Sequence, residues 1–132
     1  MVHAGGSGDP DRRTFTAFFA VLGVLVDAGV TVVAEAAFQD RLWRPGLTPL
    51  LDRVALRVVR CTVDPGMARA RVARRLAEDA RRAAHGDRRY LDEPPTGPGF
   101  GWISLPAPTL RVATDDGYDP PLDEVVAFVN RP

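Results

Sequence analysis

The sequence predicts an α/β domain built on a short, mostly parallel sheet. Three observations lead there. Apolar residues recur at helical spacing in four stretches. Runs of strand length, rich in Val, Leu and Thr, lie among them. The two kinds of segment alternate along the chain, which is the pattern of a parallel sheet with helical crossovers. At 132 residues there is material for one hydrophobic core.

Residues 1–12 are small, polar and glycine-rich at the start, and are expected as a flexible lead-in. Thr14 is placed to cap a helix over 14–28, with Phe15, Phe18, Phe19, Leu22 and Val26 on one face. Gly29 is a natural stop after Ala28. The run 30–35 (VTVVAE) reads as a buried parallel strand, apolar on both faces until Glu35. After a loop over 36–40, a short helix is expected over 41–53, with Pro45 near its first turn and Leu47, Leu50, Leu51 and Val54 at helical spacing. A second strand covers 55–63. Asp64 and Pro65 then open a helix over 65–79, as its N-cap and first residue. Residues 80–101 lose periodicity and read as a mobile, basic loop or lid. A third strand at 109–114, a turn at 115–118 and a helix over 122–130 complete the chain.

Composition removes several function classes. Seventeen basic residues meet seventeen acidic ones, so there is no net basic footprint for nucleic acid. All seventeen are Arg, so the chain offers no lysine for a Schiff base, a general base or a phosphate loop. A single cysteine, Cys61, excludes an internal disulfide and a cysteine zinc cluster, and fits a reducing compartment. In mid-strand it reads as a small buried hydrophobe rather than a reactive thiol. The apolar run near 17–26 is too short to cross a bilayer, and its flanks are not those of a signal peptide. A cytoplasmic domain without membrane contact is the expectation. Ser7 and Ser104 lie in no nucleophile elbow, and the glycines at 97, 99 and 101 follow no strand, so neither an α/β-hydrolase nor a dinucleotide fingerprint is present.

Some residues carry chemistry by position. Glu35, ending a parallel strand, stands where open α/β sheets take ligands; it holds a metal-bound water or an acceptor hydroxyl, or else simply faces solvent. Arg71 and Arg75, four apart on a helix that also bears Arg69 and Arg74, share a face. Such guanidinium groups clamp phosphoryl oxygens, or form a solvated face paired with Glu78 and Asp79. His85 lies in the Arg-rich loop, available for acid–base work or without consequence. Trp43 and Trp102 stack on a base or, by default, pack.

The ordered set of pieces resembles P-loop kinases of the AAA-domain, zeta-toxin and chloramphenicol-phosphotransferase type. The stretch AGVTVVAEAAFQDRLWRPGL carries the likeness through Gly29, the run 30–34, Glu35, Ala36, Phe38, Arg41 and Arg44. DPGMARARVARR looks like the family's helix with lid arginines, at Arg71 and Arg75, and PTLRVATDDGYDPPLDEVVAFVN like its closing strand and helix. The resemblance covers roughly 13–131. It implies phosphoryl transfer from ATP, with Mg²⁺, to a small-molecule acceptor. Glu35 would contact the Mg²⁺ water shell or the acceptor hydroxyl, and Arg71 and Arg75 the transferring phosphoryl. Arg41 and Arg44 would hold substrate, and Thr114 and Asp115 would border the adenine.

The family also has a first strand, a loop ending Gly-Lys-Ser/Thr and a first helix, and these 132 residues contain no such loop. The expectation is therefore an incomplete P-loop NTPase, a kinase-like three-layer sandwich over 13–132, with a lid at about 67–101. Either its start is set too far downstream or the gene is truncated. The resemblance implies that the missing strand lies between 30–35 and 55–63. Its absence would leave strand edges open, inviting self-association or a partner chain, and would leave the fragment inactive. The competing expectation is a non-catalytic remnant, an interaction module that pairs through those edges.

Overall fold

The computed structural model describes residues 10–78, 91 and 101–131. Helix α1 spans Pro10–Asp27, α2 Asp40–Leu47, strand β1 Val58–Thr62, α3 Pro65–Glu78, β2 Thr109–Ala113 and α4 Leu122–Val129. The strands β1 and β2 pair in parallel, from Val58 opposite Thr109 to Thr62 opposite Ala113. The architecture is thus mixed α/β, on a sheet of two strands among the described residues. No helix there is long and apolar enough to cross a membrane.

Helix α1 starts at Pro10, not at a Thr14 cap and inside the expected lead-in. Proline suits a first helical turn, where its missing N–H has no intrahelical acceptor to lose. The helix ends as expected. Gly29 adopts φ 71°, the Gly29 N–H donates to Val26 O at 2.9 Å and the Val30 N–H to Leu25 O at 3.0 Å. This paired arrangement satisfies carbonyls that the helix end leaves open.

The run 30–35 forms no strand. Extended apolar sequence becomes a strand only when a neighbour takes its hydrogen bonds, and no described strand does so. Val33 is 96% exposed as a result. The expected helix over 41–53 is also shorter. α2 stops at Leu47 and a 3-10 turn, Thr48–Leu50, carries the chain on. Pro45 and Pro49 remove two donors from the ladder that a longer α-helix would need. The spaced apolar residues are still used: Leu47 and Leu50 are buried, and Val54 packs on them.

The principal core joins α1 to α2. Trp43, Leu47 and Leu50 form its centre, with Phe15, Phe18, Phe19, Leu22, Phe38, Ile103 and Leu105 against them. Gly46 of α2 lies so close to the ring of Phe19 that a Cβ there would overlap it. Among the described residues the others buried are Val72 of α3, Val112 of β2 and Phe128 of α4.

The ladder register gives the sheet two unlike faces. Side chains alternate along a strand, and partners in register share a face. One face carries Val59, Cys61, Leu110 and Val112; the other carries Val58, Arg60, Thr62, Thr109, Arg111 and Ala113. Along the edges, the Val58 N–H donates to Pro108 O and Thr62 O accepts from the Thr114 N–H. Val59 and Cys61 therefore turn their backbone groups to the opposite edge of β1, where no described strand pairs, and Cys61 is exposed rather than buried as expected.

Candidate functional site

Three of the residues singled out in the sequence come together at the carboxyl ends of β1 and β2. Asp64 caps α3 as expected, its Oδ1 accepting from the Met67 N–H at 3.0 Å. The Asp64 N–H donates to Asp115 Oδ1 at 2.6 Å, which ties the start of α3 to the loop after β2. Thr114 continues the ladder beyond β2. Its N–H and its Oγ1 both donate to Thr62 O, at 2.8 and 3.0 Å. Arg71, two turns into α3, reaches across and donates from Nη2 to Thr114 O at 2.8 Å and to Asp115 O at 3.0 Å. The same atom lies 3.2 Å from Met67 Sδ.

The group sits at the carboxyl ends of two parallel strands, where open α/β sheets usually take a ligand. Its arginine is spent on backbone carbonyls. The guanidinium neutralises the partial negative charge where two strand-end carbonyls converge, and it fixes the 114–115 loop. Arg75, one turn further along α3, is exposed. Arg74 beside it pairs with Glu78 at 3.8 Å, so part of this helix is the solvated, paired face that its spacing also allowed. Residues 79–90 and 92–100, which contain Asp79, His85 and most of the expected lid, lie outside the described residues.

The other expected site residues lie elsewhere. Glu35 is exposed at the rim of a groove of about 570 Å³ along α1, with Thr14, Phe18, Val21, Leu25 and Val32 among its lining. None of the residues gathered at the strand ends lines this groove. Arg41 is exposed on α2. Arg44 is committed to Asp40, which accepts its Nε at 2.9 Å and its Nη2 on the other oxygen. Asp40 Oδ1 also accepts the Ser104 N–H at 2.8 Å, so this acid fastens the 101–105 segment to α2. Sequence reading missed Thr62, whose carbonyl anchors Thr114. The signal was available: a hydroxyl residue at the end of one expected strand region and another just past its parallel neighbour.

The hydrogen bond from Arg44, followed by that from the Ser104 backbone, holds the Asp40 carboxyl below its ordinary value; burial opposes this weakly. A depressed carboxyl stabilises the fold above its unfolded pKa, and the benefit is lost as pH falls through the folded pKa. Wild-type chain and Asp40→Asn should therefore differ in urea midpoint at pH 7. They should converge as the pH drops below about 4. A midpoint difference unchanged from pH 7 to acid would remove the ionised carboxylate as its cause.

Among the described residues no group of three or more His, Cys, Asp or Glu side chains is arranged to hold a metal ion. No protein-family model matches the chain, no curated protein matches its sequence, and no solved structure matches its fold.

Proposed function

We propose that this chain is part of an ATP-dependent phosphotransferase of the P-loop kinase kind, which transfers a phosphoryl group to a small-molecule acceptor. The reading rests on the sequence resemblance and is supported by one observation. Arg71 meets Thr114 and Asp115, 43 and 44 residues further along the chain, at the carboxyl ends of two adjacent parallel strands. Thr114 and Asp115 would border the nucleotide there, with Arg71 holding their loop in place. Arg75, exposed one turn away, is the arginine available to a transferring phosphoryl group. Glu35, Arg41 and Arg44 would serve the acceptor side, Arg44 through its pair with Asp40.

The described residues supply no Gly-rich phosphate cradle and no lysine, and phosphoryl transfer depends on such positioning and charge. The resemblance would place a strand bearing that loop between the run 30–35 and β1, whose far edge pairs with no described strand. The 132-residue chain alone should release no phosphate from Mg-ATP. The protein made from its own locus is the sample to assay. If its intact mass exceeds 14.3 kDa, it should turn over Mg-ATP. There Arg75→Ala should lower kcat by about tenfold, roughly 1.4 kcal/mol of lost transition-state stabilisation. An unchanged kcat would end the assignment of Arg75, and tight ATP binding by the 132-residue chain would end the reading of an incomplete site.

One observation favours a second reading, a module that pairs with another chain. The exposed β-branched run 30–34 and the outward backbone groups of Val59 and Cys61 have no strand partner among the described residues. That reading requires a stable complex. A folded monomer in size-exclusion chromatography of the native product would count against it.

A further inference from the structure

Arg60 and Arg111 stand directly opposite one another in the parallel ladder. Partners in register share a face, so both arginine side chains leave the sheet on its polar face. Like charges so placed destabilise a sheet. Acids relieve the strain elsewhere in the chain: Arg44 has Asp40, Arg53 has Asp27 and Arg74 has Glu78. Among the described residues no acid forms an ion pair with Arg60 or Arg111.

What holds the two arginines is chemically different. The Arg60 guanidinium lies over the Trp102 ring, 4.2 Å from its centroid. Its Nε is out of solvent and meets no acceptor among the described residues. Arg111 donates through Nε to Thr62 Oγ1 at 3.3 Å. Stacking fixes one guanidinium plane, and a hydroxyl fixes the stem of the other. Neither contact supplies negative charge. Trp102 is 42% exposed, so the cluster reaches the surface.

We propose that Arg60 and Arg111 together seat a phosphate group. Two guanidinium groups call for two negative charges, and a phosphate monoester or inorganic phosphate carries about −1.5 to −2 at neutral pH. A single carboxylate would match one fork and leave the other uncompensated. The tetrahedral oxygens of a phosphate can meet both forks at once. The seat lies on a sheet face with its two arginines in mid-strand, and although Arg111 leans on Thr62 at the end of β1, neither arginine is one that the phosphotransfer reading uses. It therefore does not depend on the phosphotransfer reading, and loss of ATP turnover would leave it standing.

The test is thermal unfolding of the full chain against inorganic phosphate, and separately against phenyl phosphate. Saturable stabilisation is expected, by about 4 °C or more at 10 mM or so of ligand. Arg111→Gln should abolish the response, and Arg111→Lys, which keeps the charge but loses the fork, should remove most of it. Arg69→Gln, at an exposed position of α3, should respond as wild type does. Without phosphate, Arg111→Gln should melt no lower than wild type, because it relieves the like-charge contact. Stronger stabilisation by phenyl phosphate would assign the seat to a phosphorylated organic molecule, and an equal effect to phosphate itself. The proposal is overturned if neither ligand gives a saturable shift, or if Arg111→Gln retains it. Phosphorus NMR line broadening with the same variants gives a second reading that does not rely on melting.

Discussion

Trp43→Ala should abolish cooperative unfolding. Trp43 is nearly buried and meets four phenylalanine rings edge-on, with centroids 4.4 Å from Phe15, 5.0 Å from Phe18, 5.8 Å from Phe19 and 4.9 Å from Phe38. Truncating a buried aromatic of this kind costs about 3–5 kcal/mol, through lost transfer free energy and the cavity left behind. Small domains have only some 5–15 kcal/mol in total. Six hydrophobic residues are buried among those described, and Trp43, Leu47 and Leu50 make up one cluster. Little else could compensate. The variant should lose its near-ultraviolet ellipticity and show a shallow urea transition, whereas Trp43→Phe should keep a steep transition at a lower midpoint. A Trp43→Ala midpoint close to wild type would mean that the α1–α2 cluster is not what holds this fold.

The parts of this core were legible one at a time and not as an assembly. Phe15, Phe18, Phe19 and Leu22 mark one face of α1 because a helix brings residues three and four apart together. Leu47 and Leu50 follow the same spacing even though the chain changes from α to 3-10 between them. That Trp43 fills the space between these faces is a tertiary fact with no local signal. The capping residues read well because their causes are local. Asp64 has the Met67 N–H within reach three residues on, and Gly29 takes the conformation that closes α1 without a Cβ penalty.

The run 30–35 shows the opposite case. Its β-branched residues state a preference that only a neighbouring strand can satisfy, and the described chain supplies none. The same dependence explains why two of the three expected strands form. β1 and β2 have each other, in the parallel arrangement that the alternation of elements suggested. The strand-end site was legible to the extent that it follows from that pairing. Thr114 and Asp115 lie next to the end of β2 and reach the start of α3. Glu35 does not join them, because the strand that would have carried it to the sheet is absent. The cross-strand arginines were visible as charged residues within two apolar strands, but their juxtaposition needed the register.

Arg71→Ala should lower stability by about 1.5–3 kcal/mol, the usual worth of a hydrogen bond to a charged group. Its Nη2 serves Thr114 O and Asp115 O together, and both residues are half-buried. Losing it leaves two carbonyls of one half-buried loop without their charged donor. A melting point lower by roughly 5–15 °C is expected for a chain of this size. Arg71→Lys should recover part of the loss, since one ammonium carries the charge but cannot span both carbonyls with a planar fork. Amide exchange gives the local readout. The Asp64 N–H, held by Asp115 Oδ1, and the Thr114 N–H, held by Thr62 O, should exchange faster in the alanine variant than amides in α1. The two roles open to this arginine then separate cleanly. An arginine that faces phosphate can be removed with little change in melting, because its partner arrives only with the ligand. An arginine that ties a loop to a helix cannot. A melting point within a degree or two of wild type would return Arg71 to the phosphate side and leave the 114–115 loop held by Asp64 and Thr62 alone.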